Sequence, residues 1–405
     1  MHLLVLTRQI GNYHNARYAS AAEKVDRLTV LSTTNRAAFS QFLAINPIGY
    51  DIVRLFSDRA AYDGAVRAGN IGPALHVELA GLKPDVIAIS GWTTPETMAT
   101  IRWARENSVP IVIMSESQED DANRSFLREA IKSRIVSQCD AALVGGSPHA
   151  AYIASLGIPE DRIFFGYNAV DNTHFEIGSR NARSRARPVN VGFDLPAEYI
   201  LASSRFIKKK NLPTLIAAYA RAVRTLDIEV PDLVILGDGE TKPAMLKAAL
   251  DCQVMHRLHL PGFVGYDVLP TIYGLADAFV HVATVEQWGL VINEAMASGL
   301  PTIVSDSCGA ARSLVDDGVS GLLVKPNIES ITSGLTRFFK MTSAEKVKMG
   351  KFAAGVVASW GPERFADGLA SAVNCALTAP RRGGPTLWDS FIMNRIERRI
   401  IERVA

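Results

Sequence analysis

Two glutamates separated by seven residues, in Glu286-Gln287-Trp288-Gly289-Leu290-Val291-Ile292-Asn293-Glu294, hold the most specific chemistry in this chain. The run continues as Ala295-Met296-Ala297-Ser298-Gly299-Leu300-Pro301, follows an apolar β-type segment and opens a short helix. Gly289 permits a tight turn, Gly299 suits a helix C-cap and Pro301 prevents continuation. The amides of Gly289, Leu290 and Val291 fall at the start of that helix and would point at an anion. Glu286 falls in the loop and Glu294 about one turn inside the helix, so each carboxylate could grip a polyol through charge-assisted hydrogen bonds. Carboxylates for sugar and ribose hydroxyls, beside amides for phosphate, suit a sugar nucleotide.

Further segments accompany this run. Ser204-Arg205-Phe206-Ile207-Lys208-Lys209-Lys210-Asn211 sets Arg205 and Lys210 five apart; Leu236-Gly237-Asp238-Gly239, Pro261-Gly262-Phe263-Val264 and Tyr167-Asn168-Ala169-Val170-Asp171 stand in matching order. Together, from Asn168 to Pro326, these elements resemble the retaining glycosyltransferases of family four, whose signature is E-x7-E. The resemblance implies the GT-B fold and transfer of a hexose from a nucleotide diphosphate sugar, UDP-linked, to an acceptor hydroxyl. It assigns Glu286 to donor-sugar hydroxyls, Glu294 to ribose, Arg205 and Lys210 to the diphosphate, and the backbone near Phe263 and Val264 to the base. Gly289, Leu290 and Val291 join the donor site, as does Gly11. No metal or other cofactor is implied. The acceptor would be a sugar or lipid-linked oligosaccharide in bacterial envelope polysaccharide or exopolysaccharide synthesis. A nucleotide-sugar epimerase or a non-catalytic binding subunit could share the fold.

The chain departs from the family pattern at named positions. Cys308 replaces a glycine and Arg312 stands where an acid is usual, so no role carries over to either. After the fifth strand Met114-Ser115-Glu116-Ser117 offers Glu116 in place of a histidine, and the acceptor loop keeps only Gly11, followed by Asn12, Tyr13 and His14. Asn12, His14 and Glu116 are therefore candidates for contact with acceptor or donor sugar.

The elements that must position these residues are legible as apolar runs. Leu3–Thr7, Leu28–Ser32, Asp51–Phe56, Asp85–Ser90, Pro110–Met114, Ala141–Gly145 and Arg162–Gly166 read as strands buried on both faces of a parallel sheet. Thr94-Pro95 and Ser147-Pro148 read as helix starts with capping hydroxyls. The rhythm stops at Ile177–Pro196, where Arg180, Arg183, Arg185 and Arg187 read as a linker, and resumes with Tyr199–Ser203, a helix capped at Asn211, then Asp232–Leu236, Leu258–Pro261, Ala276–Val282, Thr302–Ser305 and Gly321–Val324. Strand and helix alternation gives two doubly wound, Rossmann-like α/β domains facing a cleft, with ligands at the carboxyl ends of the strands. The boundaries expected are 1–190 for an acceptor-binding domain, 191–360 for a nucleotide-sugar domain and 361–405 for a helical segment returning to the first. Trp288, Trp360, Phe365 and Trp388 are expected in packing rather than ligand stacking.

Other classes are excluded or weakened. The 405 residues carry a net charge of +2 spread over both halves, which argues against nucleic acid as a partner. One glycine follows the first strand where a dinucleotide fold needs G-x-G-x-x-G, and no Walker motif occurs. Glu119-Asp120-Asp121 reads as a solvated helix entrance before a metal site. Four widely spaced cysteines suit reduced thiols in a cytoplasmic protein. Arg124, Arg128 and Lys132 recur every four residues beside Ile131 and Ile135, a stripe that could hold a helix peripherally at the inner face of the cell membrane.

Overall fold

The computed structural model describes residues 1–34, 46–184, 191–380 and 386–404. The chain forms two units, Met1–Ala169 with Pro362–Ala405, and Val170–Gly361. The first unit begins β1 (His2–Thr7), α1 (Asn12–Ala22), β2 (Arg27–Ser32), β3 (Asp51–Arg54), α2 (Arg59–Arg67), α3 (Ile71–Leu82), β4 (Val86–Ser90) and α4 (Pro95–Glu106). It continues with β5 (Ile111–Ser115), α5 (Phe126–Val136), β6 (Ala141–Val144), α6 (Ser147–Ser155) and β7 (Ile163–Phe165). The second unit runs α7 (Asn172–Arg183), β8 (Tyr199–Ser203), α8 (Leu212–Thr225), β9 (Asp232–Leu236), α9 (Lys242–Asp251), β10 (Leu258–Gly262), α10 (Leu269–Leu275) and β11 (Ala278–His281). It ends with α11 (Leu290–Ala297), β12 (Thr302–Ser305), α12 (Gly309–Leu314), β13 (Leu322–Val324), α13 (Ile328–Phe339) and α14 (Ser343–Val357). Helices α15 (Pro362–Thr378) and α16 (Leu387–Val404) belong to the first unit.

The first sheet is parallel with strand order β3-β2-β1-β4-β5-β6-β7, and Val5 lies level with Val30 of β2 and Ala88 of β4. Alternate residues of β1 feed opposite faces: Leu3 and Val5 enter one core cluster, Leu4 and Leu6 another. Helix α15 covers the first face with Phe365, Leu369, Ala372, Val373 and Ala376, at helical spacing, and α16 contributes Met393 to the second. Edge strands β3 and β7 are only partly buried, unlike the two-sided burial expected of every run, because a sheet edge lacks a neighbour.

The second sheet is also parallel, in the order β10-β9-β8-β11-β12-β13. Its core joins Ile200, Ala202, Leu233, Ile235 and Val280 to Leu215, Ile216 and Tyr219 of α8 and Leu335 and Phe338 of α13.

Several local expectations are corrected. Residues 177–183 of the expected linker are helix, the end of α7: the Asp171 carboxylate caps α7 at the His174 amide (3.0 Å), and Phe175, Ser179 and Ala182 form its buried face. This helix packs within the second unit, where the Ser179 hydroxyl donates to the Pro270 carbonyl (2.8 Å) and the His174 ring stacks on Tyr266. The units accordingly divide after Ala169 rather than near residue 190. Arg185 and Arg187 lie outside the described residues. Gly146, not Ser147, occupies the N-cap of α6.

The basic stripe is also corrected. Arg124 precedes α5; its guanidinium bonds to Asp121 and to the Glu119 carbonyl (2.7 Å) and lies over the Tyr152 ring (4.3 Å). Lys132 bonds to Glu129 and to the Tyr152 hydroxyl, both at 2.9 Å, while Ile131 and Ile135 face the core. Arg124 and Lys132 thus belong to an ion-pair network on the first unit and Ile131 and Ile135 turn inward, while Arg128 is exposed on α5. Among the described residues no helix is long and apolar enough to cross a membrane. Trp360 stacks on Trp288 and Phe365 is buried as expected, whereas Trp388 is 69% exposed.

Candidate active site

In the second sheet the chain moves from β8 outward to β9 on one side and from β11 outward to β12 on the other. The carboxyl ends of β8 and β11 therefore flank a topological switch point, where open α/β sheets bind ligands. The segment after β8 carries Arg205 and Lys210; the segment after β11 carries Glu286.

Close backbone contact shapes the first segment. Gly237 has φ +122°, and a Cβ there would stand 1.9 Å from the Ser204 carbonyl oxygen, so only glycine lets the 237–239 turn approach. The Phe206 amide donates to the Asp238 carbonyl (2.8 Å) and the Gly237 amide to the Gly262 carbonyl (2.8 Å). Half of the expected base-binding turn is thereby anchored, and Phe263 beside it is 42% exposed. Val264 is half-buried. Arg205 is exposed on this scaffold.

Lys208–Lys210 forms a single 3-10 turn ending at Asn211, which adopts φ +62°. The expected side-chain cap at Asn211 is not made. Its amide instead donates to the Val282 carbonyl (3.2 Å) and the Pro326 carbonyl (3.0 Å), tying the lysine turn to the ends of β11 and β13. The Thr284 amide reinforces this by donating to the Lys209 carbonyl (2.8 Å).

Glu286 is fixed through backbone and side chain. Its carbonyl accepts from the Gly309 amide (3.2 Å), and the Trp288 carbonyl accepts from the Ala310 amide (3.0 Å). Its carboxylate forms an ion pair with Lys210, and the His281 ring nitrogen Nε2 stands 3.6 Å away. Burial alone would raise the Glu286 pKa, but the His281 ring and the Lys210 ammonium outweigh it and hold the carboxyl well below the usual range. Burial lowers the His281 pKa from 6.5, so the ring is neutral near pH 7. Cys308 bridges the Glu286 strand segment, and burial pushes its thiol up, leaving it un-ionised. Arg312 turns away to donate to the Asp306 carbonyl (2.7 Å).

Gly289, at φ +98°, starts α11, and no acidic side chain occupies its first turn. Leu290 and Val291 begin the helix half-buried. Trp288 is buried beneath this entrance and donates to Asn293 Oδ1 (2.8 Å). Glu294 is 1% exposed and accepts from the Tyr273 hydroxyl (2.7 Å). Arg183 of α7 donates to the Ser298 carbonyl at the other end of α11, a cation where the helix dipole is negative.

The remaining candidates belong to the first unit. Gly11 caps α1, and its amide donates to His14 Nδ1 (3.1 Å); Asn12 is the first residue of that helix. Desolvation first, and Arg17 second, push the His14 pKa down to about 3. Glu116 accepts from Asn168 Nδ2 (2.8 Å), while Arg17 Nε holds the adjacent Ala169 carbonyl (2.8 Å). Sequence reasoning missed His281, whose signal was a polar ring ending an otherwise apolar strand five residues before Glu286.

Two parallel-sheet, Rossmann-like units with this switch-point constellation define the GT-B architecture. Residues 186–355 match the family described as Glycosyl transferases group 1. It is 28% identical over 265 residues to an uncharacterized glycosyltransferase of Methanocaldococcus jannaschii, covering 63% of this chain and 66% of that protein. It is 25% identical over 285 residues to a GDP-mannose-dependent alpha-mannosyltransferase of Corynebacterium glutamicum, covering 68% and 64%. The matched region thus spans under two-thirds of the length of these relatives. The fold is similar to that of Anabaena HepE in complex with UDP and glucose, with TM-score 0.67, 15% identity and coverage of 92% of this chain and 99% of that one.

Proposed function

We propose that the protein transfers a hexose from a nucleotide diphosphate sugar to an acceptor hydroxyl with retention of anomeric configuration. The observation that carries this reading is the Lys210–Glu286 pair at the switch point, beside the first turn of α11. Glu286 orients donor-sugar hydroxyls and Glu294 holds the ribose. The backbone at Phe263 and Val264 receives the base. Arg205, Lys210 and the amides of Gly289, Leu290 and Val291 meet the diphosphate. Breaking the anomeric bond leaves negative charge on the β-phosphate, and fixed cations with helix-end amides stabilise it where it develops. With that charge met by side chains, the step needs no resident metal. The leaving phosphate oxygen takes the acceptor proton on the face it departs from, which gives retention without a sugar bound to Glu286. The Anabaena neighbour was solved with UDP and the Corynebacterium relative is named for GDP-mannose. We favour UDP and place the acceptor in envelope polysaccharide synthesis.

Incubating the purified chain with UDP-glucose, UDP-galactose and GDP-mannose tests this directly. Nucleotide release that survives EDTA, and an NMR-assigned product with the donor's anomeric configuration, are expected. An epimerised donor, or no turnover of any donor, would overturn the transferase assignment.

A further inference from the structure

His281 stands behind the ion pair on which the proposed site is built. It is the last residue of β11, level with Val304 of β12, and its ring lies parallel to that of Phe279, two residues earlier on the same strand face. The side chain is only 4% exposed, and among the described residues its Nε2 has no hydrogen-bond partner. That nitrogen stands 3.6 Å from Glu286 Oε2, the oxygen already taken by Lys210. A hydrogen bond needs about 3 Å, so less than about 1 Å of carboxylate movement would close the gap. Buried polar atoms are normally paired, and an orphan this near a carboxylate needs a reason.

The protonation state limits what the ring can do. Burial lowers its pKa most; Glu286 opposes this, while Lys210 and Lys209 add to the lowering. The ring is neutral near pH 7, and beside a carboxylate a neutral ring keeps its proton on the nearer nitrogen, as a donor. Lys210 presents three donors but a single charge. A diphosphate entering the site competes with Glu286 for that charge. Glu286 is only 12% exposed, and Lys209, the other cation near it, is 39% exposed and 4.0 Å from Oε1. A buried carboxylate that loses its partner is destabilised. A neutral donor suits the vacancy, because it pairs the carboxylate without competing for the diphosphate.

We propose that His281 is a positioning residue that exchanges with Lys210: when a nucleoside diphosphate draws the ammonium away, the His281 Nε2–H takes Glu286 Oε2 and keeps the carboxylate paired and aimed. The step transfers no proton and breaks no covalent bond. It rests on the donor-site reading, in which Lys210 meets a diphosphate, and not on sugar transfer itself.

Titrations of the full chain with UDP, GDP, uridine and guanosine test the exchange. His281→Leu should weaken the better-bound diphosphate about ten- to a hundredfold, the worth of a hydrogen bond to a charged group, and leave the matching nucleoside within about twofold. His281→Gln, which keeps a neutral N–H, should recover most of that loss. Lys210→Met imitates the departed ammonium without ligand. In urea unfolding at pH 7, His281→Leu should cost about ten- to a hundredfold more of the folding equilibrium in the Lys210→Met background than alone. In the wild-type chain, imidazole NMR should place the proton on His281 Nε2 and show it moving downfield when the diphosphate is added. Equal weakening of diphosphate and nucleoside, additive stability costs, or an unshifted His281 proton would each overturn the proposal. This binding pattern in a chain that turns over no donor would keep the exchange and reject the transferase. Turnover with diphosphate binding unchanged in His281→Leu would do the reverse, and failure of both diphosphates to bind would reject both.

Discussion

Lys210 and Glu286 form an ion pair that joins the segments following β8 and β11, strands adjacent in the sheet but separated by 76 residues in the chain. Each is only about one-tenth exposed, at 11% and 12%. A cation proposed for the diphosphate and a carboxylate proposed for the sugar are thus prearranged against one another, with His281 behind them.

Removing either cation should slow turnover. Lys210→Met and Arg205→Ala are each expected to lower the rate of nucleotide release by about two to three powers of ten, as loss of one transition-state donor does. The loss should appear in kcat as well as in donor affinity, because charge on the diphosphate grows as the bond breaks. Steady-state kinetics with the preferred donor checks this.

The same pair predicts a pH dependence of stability. The Glu286 pKa is lowered in the fold, so its ionised form contributes stability above the ordinary carboxylate value of about 4.3, and this is lost as pH falls toward the folded value. Lys210→Met should be destabilised by about 1.5–3 kcal/mol at pH 7. The gap from wild type should narrow below about pH 4. Urea unfolding across pH 3–7 reads both.

Glu294 and Tyr273 separate binding from structure. Glu294→Ala should weaken nucleotide binding by about 1.5–3 kcal/mol and remove the carboxylate that accepts from the Tyr273 hydroxyl. Tyr273→Phe removes the hydrogen bond to Glu294, at about 1 kcal/mol in stability, and should retain most of the nucleotide affinity. Calorimetric titration with UDP and GDP, paired with thermal melts, distinguishes them.

Gly237→Ala should lower Tm by roughly 5–10 °C, because the new Cβ meets the Ser204 carbonyl at 1.9 Å and the residue is held at φ +122°. Gly265→Ala, where no heavy atom lies within 4 Å, should change Tm little. Differential scanning calorimetry of the two variants makes the comparison.

Much of this protein could be read directly from its residues. The buried strands appear as unbroken apolar runs because a parallel sheet covered on both faces leaves no polar side to alternate with, and Tyr199–Ser203, Asp232–Leu236 and Thr302–Ser305 match their predicted limits. The Glu286 to Glu294 run was legible because its turn and helix are local, set by Gly289 and Gly299. Long-range pairing was not. Arg180 and Arg183 suggested a linker, since charge on the outer face of a helix looks like solvation until Phe175, Ser179 and Ala182 are seen facing α10. Arg124 and Lys132 suggested a lipid-facing stripe until Asp121, Glu129 and Tyr152 supplied their partners. His281 beside Glu286, and Arg8 with Tyr62 and Glu96, come together only when the strand order brings distant loops to one sheet end. Local steric preference and apolar periodicity are encoded within a few residues, whereas the partner that makes a buried charge affordable is selected by topology.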